Sequence, residues 1–434
     1  MKKTVSFHTL GCKVNQYETE AMAELFLSAG WEIADFNESC DAFVINTCTV
    51  TGTGDKKSRQ MIRRAQNLNP DAVIAVAGCY SQVAPEEIKA LGAHVIIGNE
   101  DKSKIVKLIE DAISGKKSAC VTDIMKTRIF EEMKISSFSD KTRAFVKVED
   151  GCNSFCTYCI IPYARGPVRS RSLESIVSEV KTLAENGFSE VVLTGIHIAS
   201  YGMDIKDKNI GLADVIKAVH EIDGIRRIRL GSLEPRIMTE DFVKNLAALP
   251  KVCNHFHLSL QSGCDETLSR MNRKYDTAAF KQVTEYIRKY IPQSAITTDI
   301  MVGFPGETEE EFEKSVQFMK DICFAESHVF AYSNRKGTKA DKFPNQIKRT
   351  EKNRRAAIMA ETAEECKQRF LKDFIGQNIE VLVEREIEKG VYEGYTSNYI
   401  KVHILSAQDI SHKFVTVNIT KTEKDYAIGN VVEN

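Results

Sequence analysis

The sequence predicts an α/β protein in three parts: an N-terminal parallel α/β sheet domain, a central partial (β/α)6 barrel and a C-terminal small antiparallel β-barrel. Apolar runs alternate with amphipathic stretches up to residue 115. Six further runs alternate with helical segments from residue 143, and short β-rich runs dominate from residue 369. The 434 residues suit about three domains of ordinary size.

Composition narrows the class of protein. Hydrophobic residues make up 43% and charged residues 27%, which is ordinary for a globular protein and excludes wholesale disorder or a collagen-like chain. Because the net charge is −1, a nucleic-acid partner must be bound by a local basic patch. The sequence has neither a signal-peptide core nor a run of about 20 apolar residues. We therefore expect a cytoplasmic protein with no membrane partner.

In the N-terminal part (1–115), four apolar runs each precede a helical segment, as in a mostly parallel sheet covered on both faces. The runs are TVSFHTL, AFVINT, VIAVAG and HVIIG, which start at residues 4, 42, 73 and 94. Residues 116–142 lose the apolar periodicity and are predicted to form a linker with a hairpin.

In the central part (143–368), each of six runs predicted as strands is followed by a helical segment. The runs are residues 144–148, 190–194, 227–230, 256–260, 295–301 and 328–332. This pattern favours a six-unit open β/α barrel over a doubly wound sheet, although both folds can have six strands. Active-site residues of such a barrel lie just beyond the C-terminal ends of its strands.

The C-terminal part (369–434) contains IEVLVERE, VYEGYTSN, YIKVHILS and KFVTVNIT, separated by polar turns. Short strands of this kind are typical of a small antiparallel barrel. Residues 367–434 include nine basic and ten acidic residues, so charge alone does not indicate that this part binds RNA.

Twelve cysteines without a secretory signal indicate metal ligation or thiol chemistry more than a disulfide framework. Cys152, Cys156 and Cys159, here the first cysteine set, form a C-x3-C-x2-C run directly after the first central strand. Zinc or chance spacing are the alternatives, but zinc needs a fourth ligand, and no nearby cysteine or histidine has a usual spacing. Three thiolates on an iron–sulfur cluster leave one iron open for catalysis. We predict such a cluster here.

Cys12, Cys48 and Cys79, here the second cysteine set, each follow a predicted parallel strand. The carboxyl ends of such strands meet at one edge of the sheet, where α/β sheets bind their ligands. Three buried structural cysteines are the alternative, because free cysteine is among the most buried residue types. The shared placement favours a second three-cysteine site.

The run CNSFCTYCIIP resembles the signature of the radical S-adenosylmethionine (SAM) superfamily, whose fold is a partial β/α barrel. Further motifs make the chain similar to the methylthiotransferases of that superfamily, which insert sulfur and a methyl group into an unactivated C–H bond. They are HTLGCKVNQYE, INTCTVT, AGCYSQ, CNSFCTYCIIPYARG, HLSLQSGCDETLSRMNRKY and DIMVGFPGETEEEF, and the C-terminal part resembles the RNA-binding TRAM domain. PYARGPVRSRS and GSLEP are most like the branch acting on N6-threonylcarbamoyladenosine (t6A) at position 37 of tRNA.

The resemblance implies two [4Fe-4S] clusters and SAM as cofactors. The cluster on the first cysteine set would cleave SAM to a 5′-deoxyadenosyl radical that removes hydrogen from C2 of the adenosine, and the cluster on the second set would deliver the methylated sulfur. The expected partners are tRNA, an electron donor and a sulfur source, with the chain acting as a monomer. The alternatives are a methylthiotransferase of isopentenyladenosine or of a ribosomal-protein aspartate, and a non-catalytic metal-stabilised RNA-binding module.

Four residues are candidates for binding SAM. The resemblance places the aromatic residue before the third cysteine, Tyr158, on the adenine side of SAM. Thr194, Glu234 and Gln261 lie at or just beyond predicted strand ends and are candidate polar contacts, with ordinary strand-end residues as the alternative.

Two groups of arginines are candidates for binding RNA, which requires positive charge. Arg165, Arg169 and Arg171 follow the first cysteine set and are predicted to bind phosphates or the carboxylated base. Residues 335–355 carry nine basic and two acidic residues, with a solvated helix face as the alternative to an RNA-binding surface. The arginines of this segment predicted to bind tRNA are Arg349, Arg354 and Arg355.

The six remaining cysteines are predicted to be structural. Cys253, His255 and His257 alternate and could share one face of a strand. Packing or hydrogen bonding is favoured over a third metal site, since no further ligand is apparent from the sequence.

Overall fold

The computed structural model describes residues 2–116, 118–136, 142–206 and 210–432. Residues 117 and 137–141 of the predicted linker, 207–209 of the central part and 433–434 of the C-terminal part lie outside the described residues. Within the described ranges, no helix combines the length and apolar character needed to cross a bilayer.

The N-terminal part is a parallel sheet of six strands with helices on both faces. The strands are β1 (Thr4–Thr9), β2 (Glu32–Ala34), β3 (Ala42–Thr47), β4 (Val73–Gly78), β5 (Val95–Ile97) and β6 (Ser118–Cys120), and the helices are α1 (Lys13–Ser28), α2 (Gly52–Leu68), α3 (Cys79–Val83), α4 (Pro85–Ala90) and α5 (Ile105–Ile113). The strand order is β2-β1-β3-β4-β5-β6. Alternate residues of β3 and β4 pack into two different apolar cores, which explains why both strands are unbroken apolar runs.

The predicted linker differs from expectation at its start. Strand β6 pairs in parallel with β5 and completes the sheet, so the sheet extends beyond residue 115. No hairpin forms within residues 118–136. Met133 and Ile135 instead pack into the core of the central part. A three-residue strand is too short to show a hydrophobic period, and for this reason the sequence did not reveal it.

The central part is the predicted open barrel. Its strands are β7 (Arg143–Lys147), β8 (Glu149–Asp150), β9 (Arg169–Ser170), β10 (Glu190–Thr194), β11 (Arg227–Leu230), β12 (His255–Gln261), β13 (Ala295–Val302) and β14 (Glu326–Ala331). Strands β7-β10-β11 and β12-β13-β14 form two parallel sheets. Two isolated parallel bridges connect the sheets: Ile228 of β11 pairs with Val252 before β12, and Leu233 after β11 pairs with Leu258 of β12. The barrel strands thus follow one another in sequence order, whereas a doubly wound sheet reverses its order. The short strands β8 and β9 form a separate antiparallel pair.

The helices of the central part are α6 (Ile161–Arg165), α7 (Leu173–Glu185), α8 (Leu212–His220), α9 (Glu240–Ala247), α10 (Asp265–Arg270), α11 (Thr277–Tyr290), α12 (Glu309–Ile322) and α13 (Arg349–Lys372). Most of them pack on the outer face of the barrel, whereas the short α6 packs against α3 of the N-terminal part. Ser172, Thr239, Asp276 and Thr308 cap α7, α9, α11 and α12 by accepting a hydrogen bond from the first turn. Helix α13 runs four residues past the predicted boundary at residue 368.

The C-terminal part is a closed five-stranded barrel in the order β15-β16-β17-β19-β18, built from β15 (Asn378–Glu388), β16 (Val391–Thr396), β17 (Lys401–Leu405), β18 (Phe414–Thr422) and β19 (Ala427–Val431). The predicted small barrel is confirmed, with one parallel pairing, between β17 and β19, among otherwise antiparallel neighbours. Closure leaves no strand edge unpaired.

This small barrel packs against the end of the central barrel where the parallel strands begin. Arg227, at the start of β11, donates to the carbonyl oxygens of Tyr395 and Glu380, both at 2.9 Å. Arg229 donates to the carbonyl oxygen of Ser397 at 3.0 Å. The C-terminal barrel therefore closes the base of the central barrel and leaves the opposite end, where the strands finish, to the N-terminal part.

Candidate functional site

The first cysteine set lies in the loop between β8 and α6, beyond the C-terminal end of β7. The Cys152 amide donates to the Gly166 carbonyl at 3.0 Å, and the Cys159 amide donates to the Cys156 carbonyl at 2.9 Å. Phe155 has a φ of +46°, an unusual value for a non-glycine residue, and this turns the chain sharply inside the set. Burial and the neighbouring Cys156 raise the pKa of Cys159 to about 12, so this thiol keeps its proton at neutral pH.

A segment from the other half of the barrel holds this loop. The Thr157 amide donates to the Met271 carbonyl at 3.1 Å, and Asn272 Nδ2 donates to the Phe155 carbonyl at 3.1 Å. Arg273 donates from its guanidinium to Cys156 Sγ at 3.2 Å. Sequence reasoning did not single out Asn272 and Arg273 as site residues, although both lie in the quoted run SRMNRKY.

The second cysteine set lies at adjacent strand ends, where the sequence predicted it. Cys12 occupies the N-cap position of α1 after β1, Cys48 follows β3, and Cys79 begins α3 directly after β4. Asn15 Nδ2 donates to the carbonyl oxygens of Leu10 (2.7 Å) and Thr47 (3.0 Å), which ties the ends of β1 and β3 together. Burial raises the pKa of Cys48 to about 11, so this thiol also keeps its proton at neutral pH.

Two polar side chains reach the sulfur of Cys79. Asn99 Nδ2 lies 3.5 Å from Cys79 Sγ, and Arg165 Nε lies 3.2 Å from the same atom. Asn99 also donates to the carbonyl oxygen of Ala164 at 2.8 Å. Helix α6, which contains Ala164 and Arg165, begins two residues after Cys159. The helix that follows the first cysteine set therefore contacts the second set.

Buried charges hold this junction together. The Arg165 side chain is fully buried, and its guanidinium forms ion pairs with Glu18 of α1 and Asp150 of β8. Lys147 Nζ contacts the same two carboxylates, at 2.8 Å and 2.7 Å, and Lys102 Nζ lies 3.3 Å from Glu18. Burial raises the pKa of Glu18, but Arg165, Lys102 and Lys147 outweigh it and hold that pKa well below its ordinary value.

This arrangement corrects the prediction that Arg165, Arg169 and Arg171 bind RNA. All three side chains are buried. Arg169 donates to the carbonyl oxygen of Arg165 at 2.8 Å, and Arg171 pairs with Glu179. A guanidinium is buried only where carboxylates and carbonyl oxygens replace its water, and these three have such partners inside the protein.

The four candidate SAM residues lie at the end of the barrel where the first cysteine set is found. Tyr158 packs edge-to-face on Phe304 with ring centroids 6.4 Å apart. Thr194 ends β10, and its carbonyl oxygen accepts from the Val148 amide at 2.9 Å. Gln261 ends β12 with a φ of +73°, a strained conformation of the kind that collects at functional sites. Contact with SAM stays a prediction for all four residues.

Glu234 is the fourth of these candidates. Its carboxylate accepts from the Arg236 guanidinium at 2.9 Å and lies 3.5 Å from His197 Nε2. Burial raises its pKa, but the hydrogen bonds from His197 and Arg236 outweigh burial and lower the pKa to about 2. Glu234 is therefore a carboxylate at neutral pH.

The basic segment 335–355 divides into paired and unpaired cations. Arg355 is 5% exposed and pairs with Glu307 at 2.8 Å, which corrects its predicted role in RNA binding. Arg354 is more exposed but pairs with Glu309 and Glu351. Five cations are exposed and form no ion pair with other described residues; they are Lys336, Lys339, Lys342, Lys348 and Arg349. The Ala340 amide donates to the Thr157 carbonyl at 2.8 Å, so this surface borders the first cysteine set.

Comparison with known families matches all three parts of the chain. Residues 146–319 match the Radical SAM superfamily, residues 4–98 the uncharacterized protein family UPF0004, and residues 372–432 the TRAM domain. The threonylcarbamoyladenosine tRNA methylthiotransferase MtaB of Bacillus subtilis (strain 168) is 42% identical, over 99% of this chain and 96% of its own. This chain belongs to the radical-SAM methylthiotransferase family.

Other relatives of this methylthiotransferase carry two kinds of name. MtaB of Aquifex aeolicus (strain VF5) is 39% identical over 92% of this chain and 96% of its own. The tRNA-2-methylthio-N(6)-dimethylallyladenosine synthase of Oceanobacillus iheyensis is 33% identical over 100% of this chain and 85% of its own.

Solved structures show the fold of the methylthiotransferase. The radical SAM methyltransferase TsrM from Kitasatospora setae has a TM-score of 0.56 and 15% identity, covering 76% of this chain and 75% of its own. OxsB, a cobalamin-dependent radical SAM enzyme, has a TM-score of 0.52 and 11% identity, and the match covers 83% of this chain and 56% of OxsB. The methylthiotransferase is an enzyme that inserts sulfur and a methyl group, and its superfamily uses a [4Fe-4S] cluster and SAM.

Proposed function

We propose that this enzyme converts t6A at position 37 of tRNA to its 2-methylthio derivative, with one [4Fe-4S] cluster on each cysteine set. The contact between Arg165 and Cys79 carries the proposal, because it joins the helix after the first set to a ligand of the second. A methylthio transfer by two clusters requires both sets at one cavity. Four relatives named for threonylcarbamoyladenosine are 36–42% identical to this chain, and four named for dimethylallyladenosine are 33–36% identical, which supports the t6A branch.

The donor sets fit these cofactors. When bound, a [4Fe-4S] cluster with SAM supplies the radical chemistry that breaks the C2–H bond, which no side-chain acid or base could break. Three thiols in each set leave one iron without a protein ligand. Arg273 at Cys156 and Arg165 at Cys79 each donate a charged hydrogen bond to a ligand sulfur. Such bonds stabilise thiolates and adjust the reduction potential of a cluster.

The unpaired cations of the basic segment supply the surface for tRNA. Lys336, Lys339 and Lys342 flank the residue whose amide contacts the first cysteine set, and Arg349 begins α13 nearby in sequence. Phosphates bound there would bring the target base to the cluster loop. The C-terminal barrel closes the opposite end of the central barrel, so its RNA contacts lie further from the cysteines. We also propose that the enzyme is cytoplasmic and monomeric, and that it requires an electron donor and a sulfur source.

Mass spectrometry of tRNA nucleosides tests the proposed function. In cells that lack the gene, we expect the 2-methylthio derivative of t6A to disappear and t6A to accumulate. A plasmid copy with Cys120→Ala, a cysteine outside both sets, should restore the product, whereas Cys156→Ala should not. Loss of the methylthio derivative of isopentenyladenosine instead would assign the enzyme to the other tRNA branch. An unchanged nucleoside profile would contradict a tRNA substrate.

A further inference from the structure

Three side chains on neighbouring strands of the central barrel form a cluster that neither cysteine set uses. They are His257 on β12, Asp299 on β13 and His328 on β14. Their strand neighbours Phe256, Leu258 and Ile300 pack into the core beneath the helices. Because side chains alternate along a strand, the three cluster residues lie on the opposite face, which lines the inside of the barrel.

The spacing of the cluster matches that of metal ligands. One ligand atom from each residue lies within 4.8 Å of the other two. His257 Nε2 and Asp299 Oδ2 are 3.4 Å apart, longer than a good charge-assisted hydrogen bond. Ligands about 2.1 Å from a tetrahedral ion lie about 3.4 Å from one another. The register pairs Asp299 directly with His328, so the backbone holds these two side chains side by side.

A hydrogen-bond relay orients His257 as a ligand. Its Nδ1 lies 3.0 Å from Thr297 Oγ1, and the same hydroxyl lies 3.3 Å from His255 Nε2. Thr297 can accept from His257 Nδ1 while it donates to His255. In that tautomer His257 Nε2 has no proton, and its lone pair faces Asp299 Oδ2 at 3.4 Å. Metal-binding histidines almost always donate their second ring nitrogen to a neighbour in this way.

We propose that His257, Asp299 and His328 form a binding site for a divalent first-row transition-metal ion such as Zn²⁺. Two imidazoles and one carboxylate are ligands that these ions accept, and oxygen-preferring Mg²⁺ and Ca²⁺ are not suited to such a set. Three protein ligands leave at least one coordination position open toward the inside of the barrel. His328 is exposed, which gives an ion a route from solvent.

A zinc titration of the anaerobic enzyme with its iron–sulfur clusters in place tests this site. The enzyme is treated with a mild chelator, titrated with Zn²⁺ against a chromogenic competitor, and desalted before zinc and iron are counted. We expect about one zinc per chain with unchanged iron content. The variants Asp299→Asn and His328→Ala should bind zinc at least tenfold more weakly. The exposed His412, in the C-terminal barrel, provides the control His412→Ala, which should bind zinc like the wild type.

The variant Thr297→Val distinguishes a metal-binding site from a cluster of polar side chains that only contributes to packing. Valine has nearly the shape of threonine but removes the relay, so zinc affinity should fall about 10–100-fold. Thermal unfolding without zinc measures the separate cost of the two ring nitrogens left unpaired. Zinc binding that is equal in the wild type and in all the cluster variants would overturn the proposal, and so would the absence of zinc from the wild type. Zinc uptake accompanied by an equal loss of iron would also overturn it, because the zinc would then occupy the cysteine sets.

Discussion

Among single residues, Glu18 and Arg165 are charged, fully buried and paired with each other across two parts of the chain. Glu18 comes from α1 and Arg165 from α6, and their pairing joins the N-terminal sheet to the central barrel next to Cys79. Removing one partner of a buried ion pair leaves the other charge without compensation, which costs more than the pair itself contributes.

The substitution Glu18→Gln should therefore lower the free energy of unfolding by about 3–5 kcal/mol. Chemical denaturation followed by circular dichroism measures this loss. Glu32→Gln is the matched control, since Glu32 pairs with Lys2 at the surface and such pairs contribute about 1 kcal/mol or less. Equal effects of the two substitutions would contradict the structural role of the buried network.

The same network predicts a pH dependence. The folded pKa of Glu18 is lower than its unfolded value, so the carboxylate stabilises the fold above about pH 4.3. This stabilisation is lost as the pH falls through and below that value. Unfolding measured between about pH 7 and pH 3 should show a shallower acid loss of stability in Glu18→Gln than in the wild type. Parallel curves would show that other carboxylates control acid unfolding.

The second cysteine set can be tested at the level of one ligand. Cys48→Ala should reduce iron content by about half, stop methylthiolation and leave formation of 5′-deoxyadenosine, because the first cysteine set is untouched. Iron analysis and product assays on the reconstituted enzyme measure these outcomes. The control Cys120→Ala should keep full iron content and activity. Full methylthiolation by Cys48→Ala would contradict a functional cluster on the second cysteine set.

At the level of elements, the turn from β4 into α3 decides where Cys79 lies. Gly78 has a φ of +97°, and a Cβ atom there would lie 2.7 Å from the carbonyl oxygen of Thr47. Only glycine adopts this conformation without strain and allows so close an approach to the end of β3. The glycine thus permits the ends of β3 and β4, and with them Cys48 and Cys79, to come together.

The substitution Gly78→Ala should cost about 1–3 kcal/mol of stability through the strained φ, with a further loss from the contact with Thr47. Gly52→Ala in α2 is the control, because a Cβ there meets nothing within 4 Å and the φ is ordinary. Denaturation should show a change within about 1 kcal/mol for this control. A Gly78→Ala variant with wild-type stability and iron content would contradict the strain.

At the level of the whole molecule, the parts flanking the central barrel lie at its opposite ends. The N-terminal sheet contacts the end that bears the first cysteine set, and the C-terminal barrel contacts the base. Arg335 pairs with Asp55 of α2, so the basic segment also touches the N-terminal part. The segment that bears the unpaired lysines therefore contacts both the loop of the first cysteine set and the helix after Cys48.

Charge reversal of Lys336, Lys339 and Lys342 to glutamate should weaken tRNA binding and reduce its salt dependence. Each lost phosphate contact lowers the slope of log affinity against log salt by about 0.7–0.9. Binding measured at several salt concentrations gives this slope. The control reverses three exposed lysines elsewhere, Lys89, Lys107 and Lys181, and should leave the slope closer to the wild type. Equal slopes for the two triple variants would show that the basic segment is a solvated surface and does not bind tRNA phosphates.

Local patterns in the sequence were sufficient to predict the fold and the position of the two cysteine sets. Strands β3, β4, β10 and β11 have the predicted bounds: the first three are mostly apolar runs, and β11 alternates arginine with Ile228 and Leu230. Parallel strands end at a common edge, so three cysteines that follow β1, β3 and β4 must lie near one another. The first cysteine set could be predicted from the spacing of its three cysteines within one loop.

The partners of charged residues were decided by the tertiary structure. Arg165 and Glu18 are 147 positions apart, and nothing near Arg165 in the sequence shows that it is buried. Arg169, Arg171 and Arg355 were wrongly predicted to face RNA for the same reason. The cluster of His257, Asp299 and His328 comes from three strands whose register the sequence does not reveal. A side chain's residue type and spacing are local properties, but its burial and its partners depend on contacts between segments that only the folded chain brings together.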